Sequence, residues 1–317
     1  MKIPGQLWAL VLVTGESEHA ISTTHATAAT PSGEHSESAV PSALDRALSR
    51  AASVTDRERI WAVVTPERRR RLDGPLWSLP ASHFVVLPRH RGTAQAILEA
   101  LLRIQERDPA ARIVMLSCEY SVHDSARDES SLIRSLRYVA AHTLLRPDEL
   151  FLLGLESKTA TTGFPGILVG RDDHRGAFEV AGLIDEPSTT STYAATDRRL
   201  LLNTGVLAGS VRALLRLIER HMPGVVARAQ TLMRHQPHSG PGSEAAELSS
   251  QLNGLDFHRH LLPGHERYLS VIPVPRWNRE PASAPVYSFE TRASLRSDAT
   301  PLTLAHETSL TPASPGA

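Results

Sequence analysis

Three groups of chemically capable residues each follow directly on an apolar run of strand length: Gly15 with Glu16 after residues 8–13, Arg91-Gly92-Thr93 after 84–87, and Glu119 after 113–116. In an open α/β sheet the carboxyl ends of the strands are where ligands bind, so the three groups are expected to converge on one cleft. Arg91-Gly92-Thr93 also stands where helical periodicity begins, and a helix N-terminus carrying a glycine and a hydroxyl suits a polar or anionic ligand. The same residues read equally as an ordinary helix start with Thr93 as its N-cap. His258, His260 and His265 lie close together in HRHLLPGH, a transition-metal spacing in principle. An arginine separates the first pair, which disfavours that use. Cys118 follows a buried strand, where a thiol packs inertly. The arginine run at 68–71 has no interleaved aromatics and reads as a solvated face rather than a nucleic-acid contact.

The elements that must hold these groups follow from periodicity. Strands are expected at 8–13, 60–65, 84–87, 113–116 and 150–155, and helices at 41–52, 94–107 and 130–145, giving the order β-α-β-β-α-β-α-β. Continuous apolar strands point to a sheet buried on both faces, with 8–13, 60–65, 113–116 and 150–155 as neighbouring parallel strands. Beyond residue 156 shorter strands are expected at 166–170, 178–184 and 200–208, then one long helix over 211–234 and a loop at 236–243. This second half should extend the sheet and form a lid-like subregion.

Composition bounds the rest. The chain has 317 residues, 41% of them hydrophobic, enough for a substantial core. Thirty-four basic residues balance 34 acidic ones, so no global field draws the chain onto nucleic acid or an anionic membrane. A single cysteine rules out an internal disulfide and fits a cytoplasmic setting. The apolar run at 7–13 is far shorter than the roughly 20 residues of a membrane helix, and short even for the core of a signal peptide. Lys2 and Lys158 are the two lysines in the chain, so chemistry that needs a lysine has two candidates.

In chain order, LWALVLVTGE, RIWAVVTPERR, VVLPRHRGTAQAILEAL, RIVMLSCEYSV, LFLLGLESKTATTGF, GLIDEP, LLLNTGVLAGS and LDFHRHLLPGHERYLSVIPVPRW resemble the sugar-phosphate nucleotidyltransferases. Among these the mannose-1-phosphate guanylyltransferases are the most similar, over roughly residues 7–277. The resemblance implies a Rossmann-like nucleotide-diphospho-sugar transferase fold, a mostly parallel mixed sheet with helices on both faces. It would occupy residues 1–281 with a variable loop at 22–42, ahead of a Ser/Thr/Pro/Ala-rich tail at 282–317 read as disordered. It also implies in-line displacement at the α-phosphorus of a nucleoside triphosphate by a sugar 1-phosphate, with cations and Mg²⁺ neutralising the charge.

Carried over residue by residue, the resemblance places the nucleotide at Gly15, Glu16, Arg91, Gly92 and Thr93, the sugar at Gly163, Asp185, Asn203 and Thr204, and a weak metal carboxylate at Glu119. Several positions depart from the family pattern. TGESEHA stands for GGxGxR, with His19 in place of the arginine, and Ser32 follows Pro31 where a lysine is expected. Asp185-Glu186-Pro187 stands for EKP, turning a lysine into an acid. Thr161 to Ile167 lacks the sugar-binding glutamate of ETGYGYI, and Arg279 takes the place of the second metal aspartate. A catalytically impaired, ligand-binding or regulatory homologue is expected from these losses. The alternative is an active enzyme making an NDP-sugar of the GDP-mannose type with Mg²⁺. A nucleotide or sugar phosphate is the expected partner; the sequence names no protein partner.

Overall fold

Residues 6–13, 43–65, 69, 79–86, 92–118, 126–156, 165–184, 199–235 and 243–274 are described by the computed structural model, all within one unit, Met1–Glu280. Nine strands form the sheet: β1 (Leu7–Val13), β2 (Ile60–Val64), β3 (Phe84–Val86), β4 (Arg112–Ser117), β5 (Leu150–Glu156), β6 (Gly166–Asp172), β7 (Phe178–Ile184), β8 (Leu200–Ser210) and β9 (Leu269–Val274). Among the described residues the α-helices are α1 (Ala43–Val54), α2 (Thr93–Arg107), α3 (Ala126–Leu145), α4 (Val211–His221), α5 (Val225–His235) and α6 (Glu244–Leu252).

Alternate residues of the buried strands face two separate cores. Trp8, Leu10 and Leu12 of β1 and Ile113 and Met115 of β4 pack with Ile97, Leu101 and Ile104 of α2, Leu214 and Ile218 of α4, and Leu248 and Leu252 of α6. Leu7, Ala9, Val11 and Val13 face the other way, onto Leu48 and Ala51 of α1 and Leu136 and Val139 of α3. Full burial of one such side chain contributes about 1.5–3 kcal/mol, so each face is held independently. Helices therefore cover both faces, as the continuous apolar strands predict.

The strand order is β3-β2-β1-β4-β8-β5-β9-β7-β6. β1, β2, β3 and β4 pair in parallel, and so do β5 and β9. The remaining pairings, β4–β8, β5–β8, β6–β7, β6–β8 and β7–β9, are antiparallel. The sheet is mixed, as expected, with β7 and β8 running against the other seven strands. One expectation is corrected: β4 and β5 share a direction but are not neighbours, because β8 returns antiparallel between them. The reason is length: β8 runs 11 residues and is buried through its second half, so it fills a central position. Since β8 also pairs with β6, the strands β8, β5, β9, β7 and β6 close into a ring at one end of the sheet.

Three further differences have local causes. The single helix expected over 211–234 is two, α4 and α5, divided at Met222-Pro223-Gly224, where Gly224 takes φ +82° and the Glu219 carboxylate accepts from the N–H groups of Gly224 and Val226. α6, capped by Ser243 Oγ accepting from Ala246 N at 3.3 Å, was not expected from the sequence. Nor was β9, whose Pro273 reads against a strand, although it sits between β5 and β7 and is buried over its first four residues. Among the described residues, no helix is long and apolar enough to cross a membrane.

Candidate functional site

α2 begins beyond the carboxyl end of β3 and runs back to the start of β4, so its N-terminus lies on the carboxyl side of the parallel strands. Gly92 is its N-cap, in extended conformation, and Thr93 is the first helical residue rather than the cap. Both are tied to the segment just before a five-residue π-helical turn, Phe257–Leu261. A Cβ on Gly92 would lie 2.0 Å from the Leu255 carbonyl oxygen, and Ala94 N donates to that same oxygen at 3.0 Å. Thr93 Oγ1 donates to Asp256 Oδ2 at 2.9 Å and accepts from Phe257 N at 2.8 Å. The glycine here permits close backbone approach within the protein, and the hydroxyl is used internally at both its donor and an acceptor.

Asp256 organises this junction. Its other oxygen, Oδ1, accepts from Arg259 N at 2.9 Å, and its own N–H donates to His260 Nδ1 at 2.8 Å. A carboxylate at the first turn of α2 complements the positive end of the helix dipole. Nothing in the spacing of the nucleotide motif pointed to Asp256; an aspartate three residues before Arg259 in GLDFHR is a capping signal that was readable. Beside it, both ring nitrogens of His258 are buried without a hydrogen-bond partner among the described residues. Burial pulls the His258 pKa below the usual imidazole value, and the nearby Asp256 charge only partly opposes this.

On the sugar side, Asn203 and Thr204 lie in β8 where its register with β5 breaks between Leu152 and Gly154. Gly205 takes φ +70° there, a conformation that favours glycine. Asn203 Oδ1 accepts from Gly205 N at 2.9 Å, while Thr204 Oγ1 donates to Leu153 O at 2.8 Å and accepts from Val206 N at 3.3 Å. Thr204 thus pins the bulge. The Asn203 amide NH₂ has no hydrogen-bond partner among the described residues. No hydrogen bond joins Asn203 or Thr204 to Gly92 or Thr93. Gly15, Glu16, Arg91, Glu119, Gly163 and Asp185 lie outside the described residues, as do His19, Ser32, Glu186 and Arg279.

An open groove of about 510 Å³ is lined by Val169, Gly170, Arg171, Phe178, Glu179, Ala181 and Arg199, none of them an expected site residue. Its arginines are already paired, Arg171 with Glu179 at 3.3 Å and Arg199 with Glu156, which makes it a poor seat for phosphate. Among the described residues no three His, Cys, Asp or Glu side chains converge to hold a metal. His260 uses Nδ1 on Asp256, and His265 lies edge to face with His221 and tilted beside Tyr268, so the histidines of HRHLLPGH do not meet on one point.

No family model matches the sequence, and no curated protein matches it. Solved structures do match in fold. Mannose-1-phosphate geranyltransferase from Thermus thermophilus superposes with a TM-score of 0.63 at 18% identity, over 85% of this chain and 74% of that one. Mannose-6-phosphate isomerase from Helicobacter pylori superposes with a TM-score of 0.55 at 13% identity, over 85% of this chain and 98% of that one. The likeness is one of fold alone: a mixed α/β sheet with helices, shared with these two enzymes.

Proposed function

We propose that this chain is a mannose-1-phosphate guanylyltransferase-like protein that has lost efficient catalysis and acts as a ligand-binding or regulatory homologue. The observation that carries the reading is the state of the α2 start. In the resembled family an RGT-like segment meets the nucleotide; here the Thr93 hydroxyl and the Ala94 N–H are bonded to residues 255–257, and a carboxylate stands at the first turn. That carboxylate disfavours a second anion nearby. The sequence supports the same direction, since His19, Ser32 and Glu186 replace cations and Arg279 replaces a metal carboxylate. If each lost cation lowers transition-state stabilisation by about 3 kcal/mol, as lost oxyanion donors do, three losses remove most of a typical rate enhancement.

In this reading Asn203, whose amide NH₂ has no partner among the described residues, is the group that meets a sugar hydroxyl. Glu119 is the remaining carboxylate that would hold Mg²⁺; the ion's part would be to neutralise phosphate charge. The test is pyrophosphate release from GTP and mannose 1-phosphate with Mg²⁺. The reading expects turnover at or near background together with measurable ligand binding. Turnover at ordinary enzyme rates would replace it with an active enzyme of the GDP-mannose type.

A further inference from the structure

Tyr268 ends a short 3₁₀ turn, Glu266–Tyr268, that leads into β9 at Leu269. Leu269 pairs with Leu150, the first residue of β5, so this turn lies at the amino ends of β5 and β9, away from the end of the sheet where α2 begins. Two guanidinium groups rest on its one ring. Arg220 Cζ lies 4.0 Å from the Tyr268 ring centroid, and Arg267 Cζ lies 4.7 Å from it. Both arginines are exposed, and neither has an acidic partner among the described residues. The carboxylates next to them in sequence are committed to backbone: Glu219 accepts from Gly224 N and Val226 N, and Glu266 Oε1 accepts from Gly264 N at 3.0 Å. His221 and His265 complete the cluster, their rings 5.6 Å apart, with the His265 ring 6.3 Å from that of Tyr268.

We propose that Arg220 and Arg267, seated on Tyr268 and flanked by His221 and His265, form a surface site for a small phosphoryl anion, a phosphate monoester or a diphosphate, separate from the α2 start where the resemblance places a nucleotide. Stacking on an aromatic face fixes the plane of a guanidinium while leaving its N–H edge outward, the arrangement that suits bidentate recognition of phosphate. Two such forks on one ring, neither ion-paired to a carboxylate among the described residues, form a pre-positioned pair of cations. The behaviour of His265 is consistent with this crowding: burial and then the charges of His221, Arg220 and Arg267 hold its pKa below the ordinary imidazole value, against an opposing pull from Glu266. A bound anion would reverse that balance and favour the imidazolium.

The experiment is a nitrogen-15 NMR titration of the histidine rings of the full chain with inorganic pyrophosphate. Saturable shifts at His221 and His265 are expected, with the His265 titration midpoint moving up when pyrophosphate is bound. The Arg220→Gln/Arg267→Gln double variant should weaken that binding by about tenfold or more, the loss of charge-assisted hydrogen bonds, with an unchanged circular dichroism spectrum. Tyr268→Leu should weaken it too, because both forks lose their platform. Absence of a saturable shift at millimolar pyrophosphate, equal shifts with sodium chloride at matched ionic strength, or undiminished affinity in the double variant would each overturn the proposal.

Discussion

Thr93 Oγ1 donates to Asp256 Oδ2 at 2.9 Å, joining the first residue of α2 to a residue 163 positions later in the chain. Because Phe257 N also donates to Thr93 Oγ1, the hydroxyl links the helix start to the π-helical turn in two directions. Thr93→Val keeps the shape and removes both bonds, leaving a buried N–H without its acceptor. It should lower unfolding free energy by about 1–3 kcal/mol. Thr93→Ser, which keeps the hydroxyl, should stay within about 1 kcal/mol of the parent. Urea denaturation of the three proteins measures this, and a Thr93→Val protein as stable as the parent would show that the two hydroxyl bonds do not hold the junction.

Gly92 tests the same junction through sterics. A methyl group there meets the Leu255 backbone at 2.0–2.5 Å, and backbone cannot swing aside as a side chain can. Gly92→Ala should therefore cost about 3 kcal/mol or more, despite an extended φ that alanine adopts freely. A thermal melt of the variant close to that of the parent would contradict the close approach.

Burial makes His258 the pH-sensitive member of the junction. Its folded pKa lies below the unfolded value of 6.5, so the unfolded chain binds the extra proton first as pH falls. Stability is full above that value and declines as pH drops through it towards the folded pKa. His83, buried against Trp61 and also held low by burial, adds in the same direction. His258→Leu removes two buried nitrogens that have no partner and should be neutral or stabilising at about pH 7, with a flatter decline between about pH 7 and 5. An unchanged slope in that variant would place the pH dependence elsewhere.

The hairpin between β6 and β7 is tied to the end of α3 by an ion pair from Arg146, one residue past the helix, and by a ring-nitrogen contact from His142 within it. Arg146 pairs with both Asp173 and Glu149, and His142 Nε2 lies 3.1 Å from Arg175 O. Burial pushes the Asp173 carboxyl up, but the N–H groups of Arg175 and Ala177 and the Arg146 guanidinium outweigh it and hold the group below its usual range. The contribution of Asp173 is thus complete above the unfolded carboxyl pKa of 3.8 and is lost as pH falls below it. Arg146→Met should lower stability by about 1.5–3 kcal/mol near neutral pH, with hydrogen exchange rising first in residues 172–178. Exchange rising uniformly across the sheet would show that the pair does not act locally.

Strand and helix positions were readable because the buried runs are long and periodic: β7 matches its expected bounds, and most of the other expected elements differ by one or two residues at either end. Strand order was less readable. Nothing local in LLLNTGVLAGS says that β8 must lie between β4 and β5, since that placement depends on pairings across more than 40 residues. Pro273 concealed β9, and an unbroken apolar pattern concealed the Pro223-Gly224 break between α4 and α5. At the site, the sequence located Gly92 and Thr93 at a helix start but not their partner. Asp256 lies 163 residues from Thr93, and its role depends on how the π-helical turn docks on α2. Asn203 and Thr204 were marked in the sequence only through the family resemblance, whereas the bulge they form and the bond to Leu153 required the fold.

The proposed loss of catalysis predicts a matching loss of nucleotide affinity. The decisive measurement is isothermal titration of the full chain with GTP, in the presence and absence of Mg²⁺. Weak binding whose affinity does not change with Mg²⁺ is expected, because Arg279 stands where a metal carboxylate is expected and His19, Ser32 and Glu186 stand where cations are expected. Tight GTP binding that depends on Mg²⁺ would contradict the loss of catalysis and make the chain an active nucleotidyltransferase candidate.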